Sequence, residues 1–306
     1  MFLYVYQKFS ENINVIDLKK MKIDDSINKR KIKIAFFSSD INRTHSITYF
    51  LKTVLKNINK NKFEIFVISN SRNDQYKEDY KVYIKEWFNI RDLDDLTAIN
   101  FIRKKNFDII FDLMDLTSEN RINLFKNRIA PIQISWLGYC NTLGLNEIDY
   151  VFSDDNLILD GEEKFYSEKV VKLDTIWSAH IGFNLQRAMI PTPSIKNGYI
   201  TFGSFNNFNK ISDETIEVWA SILKKIDNSK LLLKSSASLN TENFKKKINK
   251  IGLDQKIQFV PTIENFNDHL NYYNNIDLSL DTFPYNGVTT TFEAIWKGIP
   301  VLTMAG

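Results

Sequence analysis

The chain is short of the residues that mark several common chemistries. It has one cysteine, Cys140, among 306 residues, which excludes an intrachain disulfide framework and fits a reducing compartment. Only three histidines occur, and no Cys/His cluster has the spacing of a zinc site. Neither a P-loop nor a Gly-x-Gly-x-x-Gly run is present, so the usual phosphate-cradling signatures are missing. No apolar run nears the roughly 20 residues that a membrane helix needs. The opening Met1-Phe2-Leu3-Tyr4-Val5-Tyr6 is apolar but has no basic leader and is too short for a secretory signal. Charge of one sign is lacking as well: 40 basic and 37 acidic residues leave a net charge of +3, with no field to recruit nucleic acid. The expectation is a cytoplasmic protein with neither a membrane nor a nucleic-acid partner.

What is present reads as a globular α/β chain. Hydrophobic residues make up 43% and charged residues 25%, a composition that buries a core, and the length suits two domains. Residues 1–30, rich in Lys, Asn and Asp after Glu11, read as a solvated helix or linker. Strands then alternate with helices. Lys31 to Phe37, Phe63 to Ile68, Asp108 to Phe111, Ile132 to Leu137, Tyr150 to Phe152 and Lys169 to Leu173 read as strands. Helices fit Ile47 to Ile58, Leu93 to Lys105 and Glu119 to Asn127. Pro191-Thr192-Pro193-Ser194 and Gly198 mark a linker over 191–198. The alternation restarts with strands at Tyr199 to Phe205, Leu231 to Lys234, Ile257 to Val260, Ile276 to Leu280 and Val301 to Thr303, and a helix at Asp213 to Ile226. Such alternation predicts two doubly wound Rossmann-like domains, 31–190 and 199–306, each a parallel sheet with helices on both faces. The second is expected to be incomplete, because the chain stops directly after a strand.

The stretch from Ile276 to Thr303 carries the densest chemistry. A strand ends in the turn-rich Asp281-Thr282-Phe283-Pro284-Tyr285-Asn286-Gly287. Thr290 and Glu293 then have capping-box spacing, so a helix is expected to start there. Gly298 can close that helix in a left-handed conformation, and Pro300 prevents its continuation. A helix start exposes backbone N–H groups, Gly287 admits a ligand close to the backbone, and three threonines add hydroxyls, so a phosphate could be held there. The same residues also serve as a simple helix cap, and local features leave both readings open.

The run Leu-Asp-Thr, then Asn-Gly-x-Thr-Thr, then a helix ending Trp-x-Gly-x-Pro, present here from Leu280 to Pro300, resembles the nucleotide-sugar site of the O-GlcNAc transferase family, which includes the SPINDLY-type proteins. The resemblance spans about 31–306 and implies a GT-B fold, two Rossmann-like domains facing a cleft where donor and acceptor meet. It implies that Lys210, in Phe205-Asn206-Asn207-Phe208-Asn209-Lys210, binds the donor phosphates; in isolation this is an ordinary surface lysine. It implies that His269 stacks on a base and Glu293 holds ribose hydroxyls. Asp281 of the Leu-Asp-Thr run, with Asn286, Gly287, Thr289 and Thr290, falls on the donor loop, and Asn206 and Asn207 lie beside it. On the acceptor side, Ser38-Ser39-Asp40 followed by His45 resembles the opening motif, whose histidine lines the active site, with one extra residue in the spacing. Ala130-Pro131-Ile132-Gln133 and Trp136-Leu137-Gly138-Tyr139 match a further motif.

Two departures stand out. Asp115-Leu116-Thr117 replaces a Gly-His-Thr or Gly-Tyr-Thr run, and Leu116 can neither take a proton nor form a hydrogen bond. Cys140-Asn141-Thr142 stands where Pro-Gly-Thr is usual. The spacing of Asp92 and Asp94 matches a metal-binding Asp-x-Asp, but at a helix start aspartates cap. The resemblance therefore implies an inverting transferase that needs no metal or other cofactor and moves GlcNAc from UDP-GlcNAc to Ser or Thr of a protein acceptor. Alternatives are a relative using another nucleotide sugar (O-fucosyl or N-glucosyl transfer), a catalytically silent nucleotide-sugar-binding module, and an epimerase of the same architecture.

Overall fold

The computed structural model describes residues 11, 15, 21–23, 25–41, 45–178, 180, 182–183, 191–234, 240–261, 263 and 265–304. The chain divides into two compact units, Met1–Ile181 and Gly182–Gly306. Most of the expected leading segment 1–30 lies outside the described residues. Its last part forms a 3₁₀ turn, Asp25–Lys29, and Arg30 then grips Asp108 through two hydrogen bonds of 2.7 and 2.8 Å.

The first unit is built on seven parallel strands in the order β3-β2-β1-β4-β5-β6-β7. They are β1 Ile32–Ser38, β2 Phe63–Ser69, β3 Glu86–Asn89, β4 Ile109–Asp112, β5 Ile132–Ser135, β6 Tyr150–Ser153 and β7 Lys169–Lys172. The register of β1 sets Ile34 beside Ile65 on one side and Ile109 on the other. β1 is buried from Ile34 onward, as a central strand covered on both faces requires. Strand β3 carries no such run: only Trp87 and Phe88 are buried, at the sheet edge, and sequence periodicity gives no sign of it. The core is aromatic, with Phe36 stacked on Phe111 at 5.1 Å and Phe37 edge-on to Phe125 at 5.4 Å.

The helices start where their caps dictate. His45 caps Ser46–Asn57, its imidazole accepting from Ile47 N. Asp94 caps Asp95–Lys105, its carboxylate accepting from Thr97 N at 2.9 Å, and Asn106 closes that helix with φ +53°. The Asp-x-Asp spacing is thus a cap. A shorter helix spans Ile122–Lys126.

The second unit has five parallel strands in the order β10-β9-β8-β11-β12: β8 Ile200–Ser204, β9 Ser229–Lys234, β10 Ile257–Val260, β11 Leu278–Leu280 and β12 Val301–Leu302. The proline-marked 191–198 contains a short helix, Pro193–Asn197, with proline at its first position, where its missing N–H costs nothing. Further helices run over Asp213–Lys225, Asn240–Lys250, Phe266–Tyr272 and Thr289–Trp296. The first packs Ile216, Trp219 and Leu223 on Leu231 and Leu233 of β9.

Each sheet reverses its direction of winding once, between β1 and β4 in the first unit and between β8 and β11 in the second. Because parallel crossovers are right-handed, the helices before and after a reversal lie on opposite faces, and a crevice opens beyond the carboxyl ends of the two strands.

Candidate functional site

In the second unit the two loops at the reversal carry most of the residues singled out by sequence. The loop after β8 supplies Asn206 and Lys210; the loop after β11 supplies Asp281, Asn286 and Gly287, and the Thr289 helix follows. Asp281 is the hub. One carboxylate oxygen accepts from Asn206 Nδ2 (3.1 Å), Thr282 N (2.9 Å) and Gly287 N (2.8 Å), and the other from Thr303 Oγ1 (2.9 Å). Asn206 in turn accepts from Thr290 Oγ1 at 2.9 Å. Asp281 and Asn206 are thereby committed to shaping the loop.

Gly287 has no room for a side chain. A Cβ there would stand 2.4 Å from Thr290 Oγ1, 2.8 Å from Asn206 Oδ1 and 3.0 Å from Asp281 Oδ1. The glycine lets the loop close over its own hydrogen-bond network. Lys210 lies across the same loop, donating to Asn286 O at 3.2 Å with its ammonium 4.2 Å from the centre of the Tyr285 ring. Asn286 itself donates to Thr303 Oγ1 (2.7 Å) and Met304 O (3.0 Å). Asn207 is exposed and only caps the turn Phe208–Lys210, so it stands outside this network.

The expected capping box does not form. The helix begins at Thr289, its cap position is Val288, and no side chain caps it. Thr290 instead reaches across to Asn206. Glu293 is 5% exposed and turned inward, where one carboxylate oxygen faces His269 Nε2 at 3.0 Å and Tyr273 Oη at 2.8 Å. Both residues are spent on tertiary contacts, and the first-turn amides are left without a side-chain oxygen. At the other end Gly298 has φ +78°, as the sequence predicts.

His269, 6% exposed, is packed against Phe205 and Tyr273 with ring centroids 6.1 and 5.8 Å away. Sequence reasoning missed Tyr273, although it lies four residues after His269 and therefore on the same face. It also missed Lys234, at the carboxyl end of β9. Burial lowers the pKa of that ammonium, against the opposing pull of the Glu293 carboxylate. Thr303 was missed too, since a threonine after a short strand gives no local signal.

The first unit's reversal is arranged differently. His45 remains half-exposed, its Nε2 3.9 Å from Asp40. Asp112 and Asp115, at the end of β4, are sealed inside: Asp115 accepts from Ser135 Oγ (2.7 Å) and Tyr139 N (2.8 Å), and Asp112 from Met114 N (3.0 Å). Burial pushes the Asp112 carboxyl up to about 7, and burial together with the charge of Asp112 pushes Asp115 well above the carboxylate range. Asp115 adopts φ +51°, a backbone region that glycine enters without strain. Leu116 packs on the hydrophobic core. Gln133 of the second matching motif is structural: it donates to Phe125 O and Glu147 O and accepts from Ile129 N.

The family model described as glycosyl transferase family 41 matches residues 8–188 and 185–306. A protein of Arabidopsis thaliana named probable UDP-N-acetylglucosamine–peptide N-acetylglucosaminyltransferase SPINDLY is 33% identical over 291 residues, covering 91% of this chain and 31% of its own length. Its Hordeum vulgare namesake is 33% identical over 286 residues, covering 90% and 30%. A solved lysine-to-methionine mutant of the Thermobaculum terrenum O-GlcNAc transferase superposes with a TM-score of 0.90 at 26% identity, over 99% of this chain and 58% of that one. The lipopolysaccharide outer core galactosyltransferase WaaB shares the fold at 14% identity, with a TM-score of 0.55 over 88% of this chain and 80% of that one. The chain spans about a third of the length of the curated relatives it matches. Two parallel-sheet domains of the GT-B kind, with a family match that covers nearly every residue, identify the chain as a member of glycosyl transferase family 41.

Proposed function

We propose that the chain is the catalytic part of an inverting, metal-independent transferase that moves GlcNAc from UDP-GlcNAc to Ser or Thr hydroxyls of proteins. The second unit binds the donor and the first receives the acceptor, with the boundary at 191–198. The observation that carries this reading is the convergence, at one sheet reversal, of Lys210, an uncapped helix start and the Asn206–Asp281–Thr290 network. The family's relatives are named for transfer from UDP-N-acetylglucosamine to peptides, which supports both donor and acceptor class. The lone cysteine supports a cytoplasmic setting, and no described helix is long and apolar enough to cross a membrane.

The acceptor oxygen attacks the anomeric carbon as its bond to the diphosphate oxygen breaks and that electron pair leaves with UDP. The Lys210 ammonium, the amides of Thr289 and Thr290 and the Thr289 hydroxyl offset the charge gathering on the leaving diphosphate. Asn286 and Gly287 shape the loop beneath it, and Asn206 and Asp281 hold that loop in place. His269 and Glu293 form the nucleoside end. The acceptor proton passes to Nδ1 of His45, which gives up its long 3.5 Å cap contact with Ile47 N, while Nε2 stays turned toward Asp40.

Leu116 favours a second reading, a nucleotide-sugar-binding module without transfer, because the core holds an aliphatic side chain where relatives present a ring. Measuring UDP release from UDP-GlcNAc with and without Ser/Thr peptides, beside GDP-fucose and UDP-glucose as donors, separates the two. Acceptor-dependent release of UDP supports transfer, and tight donor binding with no release for any peptide removes it.

A further inference from the structure

Glu293 is held by a pair of donors on one oxygen. His269 Nε2 stands 3.0 Å and Tyr273 Oη 2.8 Å from the same carboxylate oxygen, in a place where all three side chains are buried. Tyr273 also lies 3.3 Å from Thr290 O, but its one proton goes to the nearer, charged acceptor. Burial, and then the charge of Glu293, raises the phenol well above its usual pKa, so it keeps that proton wherever the protein functions. As a carboxylate, Glu293 only accepts, so His269 Nε2 as well as Tyr273 Oη donates to it and Nε2 carries hydrogen. The neutral ring is then the Nε2–H form, with Nδ1 turned away from Glu293. Lys234, at the end of β9, is a further charged neighbour of the carboxylate.

We infer that Tyr273 is a positioning residue of the nucleotide site: its hydroxyl and His269 Nε2 meet on one oxygen of Glu293, which holds the carboxylate in place and fixes His269 in its Nε2–H form. This rests on the nucleotide-sugar reading of the site. Tyr273 itself touches no reacting atom. A carboxylate that accepts the ribose diol and an imidazole in a fixed tautomer form a rigid recognition pair, and the buried phenol supports both.

The test uses Tyr273→Phe, which keeps the ring that packs edge-on to Phe205 at 4.7 Å and near His269. Without the phenol hydroxyl, Glu293 loses one of the two groups that hold its shared oxygen. UDP affinity, measured calorimetrically, should therefore fall by about tenfold. In the background of Glu293→Ala, where no carboxylate is left to hold, Tyr273→Phe should change that affinity no further. Long-range imidazole nitrogen spectra of the wild type, with only three histidines to assign and His269→Gln to identify the signal, should show the Nε2–H form without any ligand. UDP binding by Tyr273→Phe as tight as that of wild type, or an Nδ1–H tautomer in the wild type, overturns the inference and leaves the nucleotide reading standing. A wild type that binds no UDP removes that reading and the inference together.

Discussion

The two sheet reversals answer the same architectural question in opposite ways. In the second unit the loops end in groups that stay near the surface: Lys210 is half-buried, Thr289 and Thr290 stand at an uncapped helix start, and Gly287 keeps side chains out of the way. In the first unit the polar groups after β4 are turned inward, with Asp112 and Asp115 held by Ser135 and the backbone at Tyr139 and Met114, and Leu116 joins the core. A crevice created by winding direction is only an opportunity. Whether it becomes a site depends on which way its carboxylates face.

The sharpest way to break this contrast is Lys210→Ala. If the second unit carries the charge stabilisation, transfer should fall by about 100-fold, roughly 2.7 kcal/mol of barrier. The melting temperature should barely move, since the residue lies in a half-buried loop. Turnover that survives within about tenfold would take Lys210 out of the leaving-group role.

Gly287→Ala comes next. The added carbon would stand 2.4 Å from Thr290 Oγ1, so the network must open, at about 1–3 kcal/mol of stability. UDP affinity should fall with it. An alanine variant that binds UDP as well as wild type would show that the closed loop is not the binding form.

Asp112→Asn probes the other side of the comparison. The folded Asp112 titrates at about 7, whereas an unfolded aspartate titrates near 4. Between those values folding takes up a proton, so this group's contribution is fully present below about pH 4 and is lost as the pH rises through about 7. Asparagine stays neutral, so the slope of melting temperature against pH across that window should flatten. UDP affinity should not change. An unaltered slope would mean that Asp112 is not the group buried as the acid.

Thr290→Ala separates tertiary from capping use of the hydroxyl. Capping is absent, so the stability cost is the lost bond to Asn206, about 1 kcal/mol. If the hydroxyl also meets the diphosphate, UDP affinity should drop more than about tenfold, and Thr290→Ser should restore it. Normal UDP binding by the alanine variant would leave only backbone amides to hold a phosphate there. The smallest effect is expected from Asp94→Ala: about 1 kcal/mol for a lost cap, with transfer unchanged and insensitive to EDTA. Activity lost to EDTA and restored by manganese would return Asp92 and Asp94 to the site.

Much of the fold was legible because buried parallel strands are apolar runs bounded by turn residues, as at Ala35 to Phe37 or Leu231 to Leu233. Strand β3 was not, since two aromatic residues at an edge give no period. In the candidate site the turn residues and Lys210 could be read from spacing and resemblance. The Thr290–Glu293 pair misled, because a three-residue interval has the same appearance whether the side chains turn back on the helix or reach away from it. Lys234 and Tyr273 come from elements far along the chain, and only the sheet order brings them to Glu293.

The bare start of the Thr289 helix has one more consequence. Its first backbone bond runs from Phe292 N to Val288 O at 3.1 Å, and its cap residue, Val288, offers no side-chain hydrogen bond to the amides before it. In the free protein those protons trade with solvent on the timescale of local fraying. A diphosphate settling on them would slow that trade at three consecutive threonines without displacing an atom of the sheet. The arrival of a nucleotide would then register as a change of clock at one turn of one helix, and hardly at all as a change of shape.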